Sequence, residues 1–255
     1  MIAFGVLCAS ILLVALLSRR AVAPRQTDQQ QIQQAQEEPK PEDKAPEKPA
    51  ETPEPETNQT PQQSSGSTGT SAASLTVVVN KQHALSPINY VPANLVSVGN
   101  GQLARTEAAQ ALTSLLSAAQ KAGKPMYALS GYRSYNTQTS LYNSYVQSDG
   151  QAAADTYSAR PGYSEHQTGL AIDVGNGTCN LDICFGNTAA GKWLAANAYS
   201  YGFIIRYPSG KTSVTGYQYE PWHLRYVGTS VSKDMHAKGT TTLEEYFGIT
   251  GGTSY

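Results

Sequence analysis

An α+β domain is the fold class this sequence predicts, on three observations. Apolar positions recur at helical spacing in some stretches and alternate or run β-branched in others, so both element types are present. They are mixed without the regular strand-helix-strand alternation of a parallel sheet, and no internal repeat is visible. All sixteen tyrosines and both tryptophans fall after residue 89 of the 255, which assigns the core to the later part of the chain.

Taken in order, Leu75 to Asn80 (Leu-Thr-Val-Val-Val-Asn) is β-branched and reads as a strand. Thr106 is placed to cap a helix whose Ala109, Leu112, Leu115, Leu116 and Ala119 form one apolar face, stopped by Gly123 and Pro125. Met126 to Ser130 reads as a short buried strand leading into Gly131-Tyr132-Arg133. Asn136 is the expected cap of a second helix carrying Leu141, Tyr142, Tyr145 and Val146 and ending near Asp149-Gly150. Gly169 to Val174 alternates as a strand does, and a third helix is expected from about Thr188 to Tyr201, ended by Gly202. Phe203 to Tyr207, a Pro-Ser-Gly-Lys turn at 208–211 and Tyr217 to Val227 suggest a β-hairpin. Ser230 then begins a helix, and Thr242 with Glu245 three residues on is a capping-box start for a last short one.

Charge divides the chain further. The 18 Lys and Arg against 19 Asp and Glu exclude a strongly basic nucleic-acid binder, but the balance is uneven. Residues 24–74 hold four basic and nine acidic residues and eight of the fourteen prolines, with no aromatic, whereas residues 75–255 hold twelve basic and ten acidic. Such a Pro/Glu/Gln-rich segment cannot bury enough apolar surface to offset its ordering entropy, so 24–74 is expected to be a disordered spacer. A coil of that length reaches about 35 to 40 Å, and proline and like charge extend it. The 16 uncharged residues Ile2 to Leu17 fall just short of the roughly 17 to 25 of a spanning helix. With Arg19 and Arg20 between this run and the cleavage-like Ala21-Val22-Ala23, residues 1–23 are expected to be a retained membrane anchor rather than a cleaved signal peptide. An extracytoplasmic domain at 75–255 follows, with a monomer as the expected state. Cys8 follows Leu7, unlike a lipoprotein cysteine, and reads as a buried thiol. Cys179 and Cys184 are expected to form a disulfide pinning a surface loop; zinc on this pair would need two more soft ligands nearby.

The chemistry gathers around two of the four histidines. Ser164-Glu165-His166-Gln167-Thr168-Gly169-Leu170-Ala171-Ile172-Asp173 sets a carboxylate seven residues after an imidazole, across a glycine and into a strand. Glu220-Pro221-Trp222-His223 offers a second imidazole with a carboxylate three residues before it. Catalytic zinc takes three N/O protein ligands and leaves one position open, and His166, Asp173 and His223 supply three. Glu220 is then the spare carboxylate, the group needed to move a proton from water to a leaving amine. On a regular strand, residues three apart face opposite ways, so Glu220 and His223 share a cavity only if Pro221 marks an irregularity.

The pattern Ser-x-His-x-x-Gly-x-Ala-x-Asp followed by Glu-x-x-His resembles the zinc D-alanyl-D-alanine carboxypeptidases of the VanY type and the related LdcB-type L,D-carboxypeptidases, which trim peptidoglycan stem peptides. The resemblance extends through Val79 to Leu85, Leu129 to Ser134, Ser158 to His166 and Glu220 to Gly228. It implies zinc on His166, Asp173 and His223, Glu220 as catalytic base, and Arg133 meeting the substrate's terminal carboxylate, with Gln138 and Ser164 lining the same pocket. It also implies a small domain with zinc on a central antiparallel sheet flanked by helices, and no organic cofactor. The resemblance leans to D,D- over L,D-cleavage.

Other readings are narrower. His83 and His236 are expected to be structural or surface residues, Arg160, Arg206 and Arg225 structural or rim charges, and Trp222 a core residue or one that orients its neighbours. Ser230-Val231-Ser232-Lys233 fits the Ser-x-x-Lys of serine-dependent penicillin-binding proteins, but the Ser-Asp-Asn and Lys-Thr-Gly partners do not occur. A non-catalytic wall-peptide binder would have no use for Glu220.

Overall fold

The computed structural model describes residues 71–255. The expected anchor at 1–23 and nearly all of the spacer at 24–74 lie outside the described residues. Among the described residues no helix is long and apolar enough to cross a membrane.

Four strands form an antiparallel sheet in the order β3-β4-β6-β5: β3 Tyr127–Ser130, β4 Ala171–Gly175, β5 Phe203–Tyr207 and β6 Glu220–Tyr226. A small ribbon, β1 Leu95–Ser97 with β2 Leu103–Arg105, stands beside it. One face of the sheet is covered by α1 Thr106–Lys121 and α4 Ala189–Asn197. Leu112 and Leu115 of α1 and Leu194 of α4 pack there with Ile172, Trp222 and Leu224, all buried. α2 Tyr135–Asp149 and α3 Gln151–Tyr157 follow β3, the single turn α5 Thr212–Thr215 lies between β5 and β6, and α6 Thr229–Lys238 and α7 Leu243–Phe247 close the chain. The mixed class and the antiparallel sheet agree with the expectation, as does Trp222 in the core.

Several local expectations change. Residues 75–79 form no sheet strand, and only Asn80 pairs, in a bridge with His83. Val77, Val78 and Val79 are buried, but carbonyls of the stretch bond to side chains: Arg225 Nη2 donates to Leu75 O and Val77 O. A buried backbone needs partners, and guanidinium groups replace a neighbouring strand here. Thr106 is the first residue of α1 rather than its cap, and its hydroxyl donates to Asn94 O at 3.0 Å. The cap of α2 is Ser134, whose Oγ accepts from Thr137 N, and not Asn136. α3 went unforeseen because Gly150, at φ 80°, ends one helix and admits the next. The β5–β6 pair is antiparallel as expected, but residues 208–219 make a longer excursion than a hairpin turn, and β6 starts at Glu220. Thr242 does cap α7, accepting from Glu245 N and donating to Glu245 Oε2.

Beneath the sheet's other face lies a fully buried ionic cluster. Glu165 Oε1 accepts from Arg206 Nε and from Arg225 Nη1, both at 2.8 Å. Arg206 also grips Glu244 of α7 bidentately, at 2.7 and 2.9 Å, and Asn80 Nδ2 donates to the same carboxylate. Arg206 and Arg225 are structural, with no rim exposure at all. Removing one member of such a cluster strands its partners, at about 3–5 kcal/mol. Arg225→Ala is therefore expected to lose about that much in urea unfolding, and to open residues 71–79 to limited proteolysis.

Candidate active site

The first donor is set by a tight turn. Residues Glu165–Thr168 form a 3-10 turn closed by Gly169 in the left-handed region at φ 68°, from which the chain enters β4. A Cβ at Gly169 would also lie 3.0 Å from Arg105 Cγ and Leu95 Cδ2. The His166 ring is fixed by Nδ1, 2.8 Å from Gly131 O. Carbonyls only accept, so Nδ1 carries the proton and Nε2 has its lone pair free. Gly131 itself is packed tightly against β2, where a Cβ would stand 2.2 Å from Leu103 O.

The second and third donors come from a cross-strand pair. Asp173 of β4 lies directly opposite His223 of β6, and residues so paired point to one face. Asp173 Oδ2 is 3.4 Å from His166 Nε2, and Asp173 Oδ1 is 3.0 Å from His223 Nδ1. The two imidazoles meet edge to face at 4.9 Å, and the three donor atoms all lie within 4.8 Å of one another.

Glu220 reaches this cavity through the irregularity that Pro221 suggested. Ile205 faces Leu224 whereas Tyr207 faces Glu220, so a two-residue advance on β5 matches a four-residue advance on β6. The extra residues turn Glu220 to the side of His223, with Oε2 at 3.7 Å from Nδ1.

The charges explain what the cluster will accept. Burial lowers the pKa of His166, outweighing Asp173, which raises it, and Arg133 lowers it further. With Nδ1–H given to Gly131 O, the His166 Nε2 lone pair faces Asp173 Oδ2 at 3.4 Å. Two acceptors face to face need a cation between them, so the donor set fits a metal ion. Burial disfavours charge on His223, but Asp173 and then Glu165 and Glu220 outweigh it and raise this imidazole to about 9. That proton and a metal compete for Nδ1, so metal uptake would release it. Burial, reinforced by Asp173, pushes Glu220 up to about 8 against the pull of His223 and Arg133.

Arg133 lies beside the cluster: its backbone N–H donates to His166 O, and Asp173 and Glu220 act on its charge. Nη1 donates to Gln138 Oε1 at 2.9 Å and Nη2 to Ser130 Oγ at 3.0 Å, while the buried Nε has no partner. Gln138 lies behind Arg133: its Nε2 donates to Ala159 O at 2.7 Å, and the side chain is almost fully enclosed. Ser164 is buried at the start of the turn that carries His166, and its side chain does not cap it. Cys179 and Cys184 form a disulfide, away from the three donors. His83 bonds to Asn80 and His236 stacks on Tyr199, outside the cluster.

Ser130 and the Gly131 carbonyl were not singled out in the sequence. Neither carries a signal beyond adjacency to Arg133, since a backbone oxygen has no sequence signature and serine is common.

Three N/O donors beside a free carboxylate make the donor set of a mononuclear hydrolytic metal centre. The sequence model of the family described as VanY, D-alanyl-D-alanine carboxypeptidase, matches residues 101–229, about half of the chain, and the chain belongs to this family. It is 46% identical over 181 residues to YodJ of Bacillus subtilis, covering 67% of this chain and 66% of that protein's own length. Among solved structures it resembles the LdcB LD-carboxypeptidase, with a TM-score of 0.65 and 44% identity over 70% of this chain and 88% of that one. It also resembles a variant of the vancomycin resistance D,D-pentapeptidase VanY in complex with Zn(II), with a TM-score of 0.59 and 35% identity over 68% and 98%.

Gly131→Ala is expected to be destabilising by about 1–3 kcal/mol, the range for forcing a methyl into a packed site. Because it displaces the carbonyl that orients His166, it should also weaken zinc binding, measured by chelator competition alongside thermal unfolding.

Proposed function

We propose that this chain is a zinc-dependent D-alanyl-D-alanine carboxypeptidase that releases the C-terminal D-alanine of peptidoglycan stem peptides. One observation carries the reading. The cluster of His166, Asp173 and His223 has beside it a further carboxylate, Glu220, 3.7 Å from His223, and a buried guanidinium, Arg133, on which Asp173 and Glu220 act. Membership of the VanY family and the likeness to the Zn(II)-bound D,D-pentapeptidase support it.

His166 Nε2, His223 Nδ1 and the Asp173 carboxylate would hold the metal. Zinc, when bound, supplies a Lewis acid that polarises the scissile carbonyl and makes water a nucleophile near neutral pH. Arg133 pairs with the substrate's terminal carboxylate, a planar fork against a planar anion, and so holds the scissile peptide at the cluster. Gln138 and Ser130 fix the plane of that guanidinium, and Ser164 lines the pocket. Glu220 takes the proton of the attacking water and returns it to the amine nitrogen as the C–N bond breaks. Burial favours its protonated form, and the positive charge of zinc, when bound, would favour the carboxylate that the first step requires.

An L,D-carboxypeptidase acting on tetrapeptide stems is the second reading, favoured by the higher identity to the LD-carboxypeptidase structure, 44% against 35%. Defined pentapeptide and tetrapeptide stems, with products weighed by mass spectrometry, separate the two. Zinc-loaded protein should free D-alanine from the pentapeptide, a chelator should stop it, and Glu220→Gln should lose at least about a hundredfold in kcat while keeping its zinc. Cleavage of the tetrapeptide alone would establish the second reading. Release from neither would leave a wall-peptide binding module.

We also propose that residues 1–23 hold the domain on the outer side of the membrane, with 24–74 as the spacer. The apolar run Ile2 to Leu17 and the Cys179–Cys184 disulfide, which suits an oxidising compartment, support this. Fractionation of expressing cells should place the full chain with the membranes; recovery from the medium alone would mean that the segment is cleaved.

A further inference from the structure

We infer that Glu165 is a positioning residue for His223, accepting a hydrogen bond from its Nε2 and so presenting Nδ1 to the metal. The inference rests on the metal-centre reading above.

The two buried carboxylates of the ionic cluster are used differently. Glu244 commits both oxygens: Oε1 accepts from Arg206 Nη2 and Asn80 Nδ2, and Oε2 from Arg206 Nη1. Glu165 takes both of its arginines on one oxygen, Oε1. Its Oε2 has no hydrogen-bond partner and lies 3.8 Å from His223 Nε2, which also has none. Both side chains are buried, and an unpaired polar atom there is costly. A carboxylate that served only to neutralise Arg206 and Arg225 would have no reason to leave its second oxygen beside an imidazole.

The opposite ring nitrogen explains the arrangement. His223 Nδ1 faces Asp173 at 3.0 Å and Glu220 at 3.7 Å, so it is the atom turned to the cluster. A metal on Nδ1 obliges the imidazole proton onto Nε2, the side of Glu165. At 3.8 Å the contact is longer than a formed hydrogen bond, and it is expected to close when Nδ1 is committed to the metal. His166 is oriented the other way round, by Nδ1–H to the Gly131 carbonyl. The two ligands thus use different nitrogens, and only His223 has a charged outer partner, which makes it the more basic donor.

The full chain, loaded with zinc, tests this in two ways. Long-range proton–nitrogen NMR of the imidazoles should show His223 bound through Nδ1 with a proton on Nε2; the reverse assignment overturns the inference. Zinc affinity by chelator competition should fall about 10- to 100-fold in Glu165→Gln. It should be unchanged in Glu244→Gln, which breaks the same ionic cluster on the side away from His223. An unchanged affinity in Glu165→Gln, or equal losses in both variants, overturns it and leaves Glu165 a purely structural ion. If Glu165→Gln does not fold, the wild-type spectrum decides. Failure of the wild-type chain to bind zinc would instead remove the metal-centre reading, and this inference with it.

Discussion

The buried cluster of Glu165, Arg206, Arg225 and Glu244 is the interaction on which the remaining structure leans. Its members come from the His166 turn, β5, β6 and α7, and through Asn80 and the carbonyls of Leu75 and Val77 it also fastens the N-terminal stretch of the domain. Two positive and two negative charges are buried together, so losing one member leaves its neighbours unpaired at a cost in stability. Glu165 sits next to His166 in sequence, and the cluster therefore anchors the turn that carries the first metal donor. Burial alone would raise the pKa of this carboxyl, but Arg206 and Arg225 hold it well below the ordinary carboxylate range.

Above this base the site is assembled by sheet register. The pairing of Asp173 with His223 fixes two donors on one face, and the turn closed by Gly169 swings His166 over them. The broken register between β5 and β6 then brings Glu220 to the same side. A one-residue slip of β4 on β6 would separate the two ligands, so the packing of Ile172, Leu224 and Trp222 against α1 and α4 is also what keeps the donors together. Arg133 is held with comparable rigidity by Gln138 and Ser130.

Much of this was legible because metal chemistry constrains residue type and spacing together. His166, Asp173, His223 and Glu220 could be named from two short motifs, since few other uses explain two imidazoles and two carboxylates so arranged. Pro221 signalled the irregular strand, because proline cannot donate to a ladder. The family resemblance implied Gln138 as a pocket residue; its amide is spent on Arg133, Ser158 Oγ and Ala159 O, which only the packing reveals. Residues 75–79 were misread as a strand because β-branched content records burial and extension, and not what satisfies the backbone.

The sequence by itself determined the mixed α+β class, the zinc-type donor set, the close cysteine pair and the composition that separates residues 24–74 from the domain. Each of these depends on residue type and near spacing, which the chain carries locally. Only the tertiary structure decided that Arg206 and Arg225 are interior ions, that Ser134 and not Asn136 caps its helix, and that Glu165 spans the ionic cluster and His223. Those outcomes depend on contacts between residues some 40 to 60 apart in the chain, or on which of two neighbouring side chains meets a free backbone N–H. Composition and periodicity do not encode such meetings, because they are set by how the sheet and helices close around them.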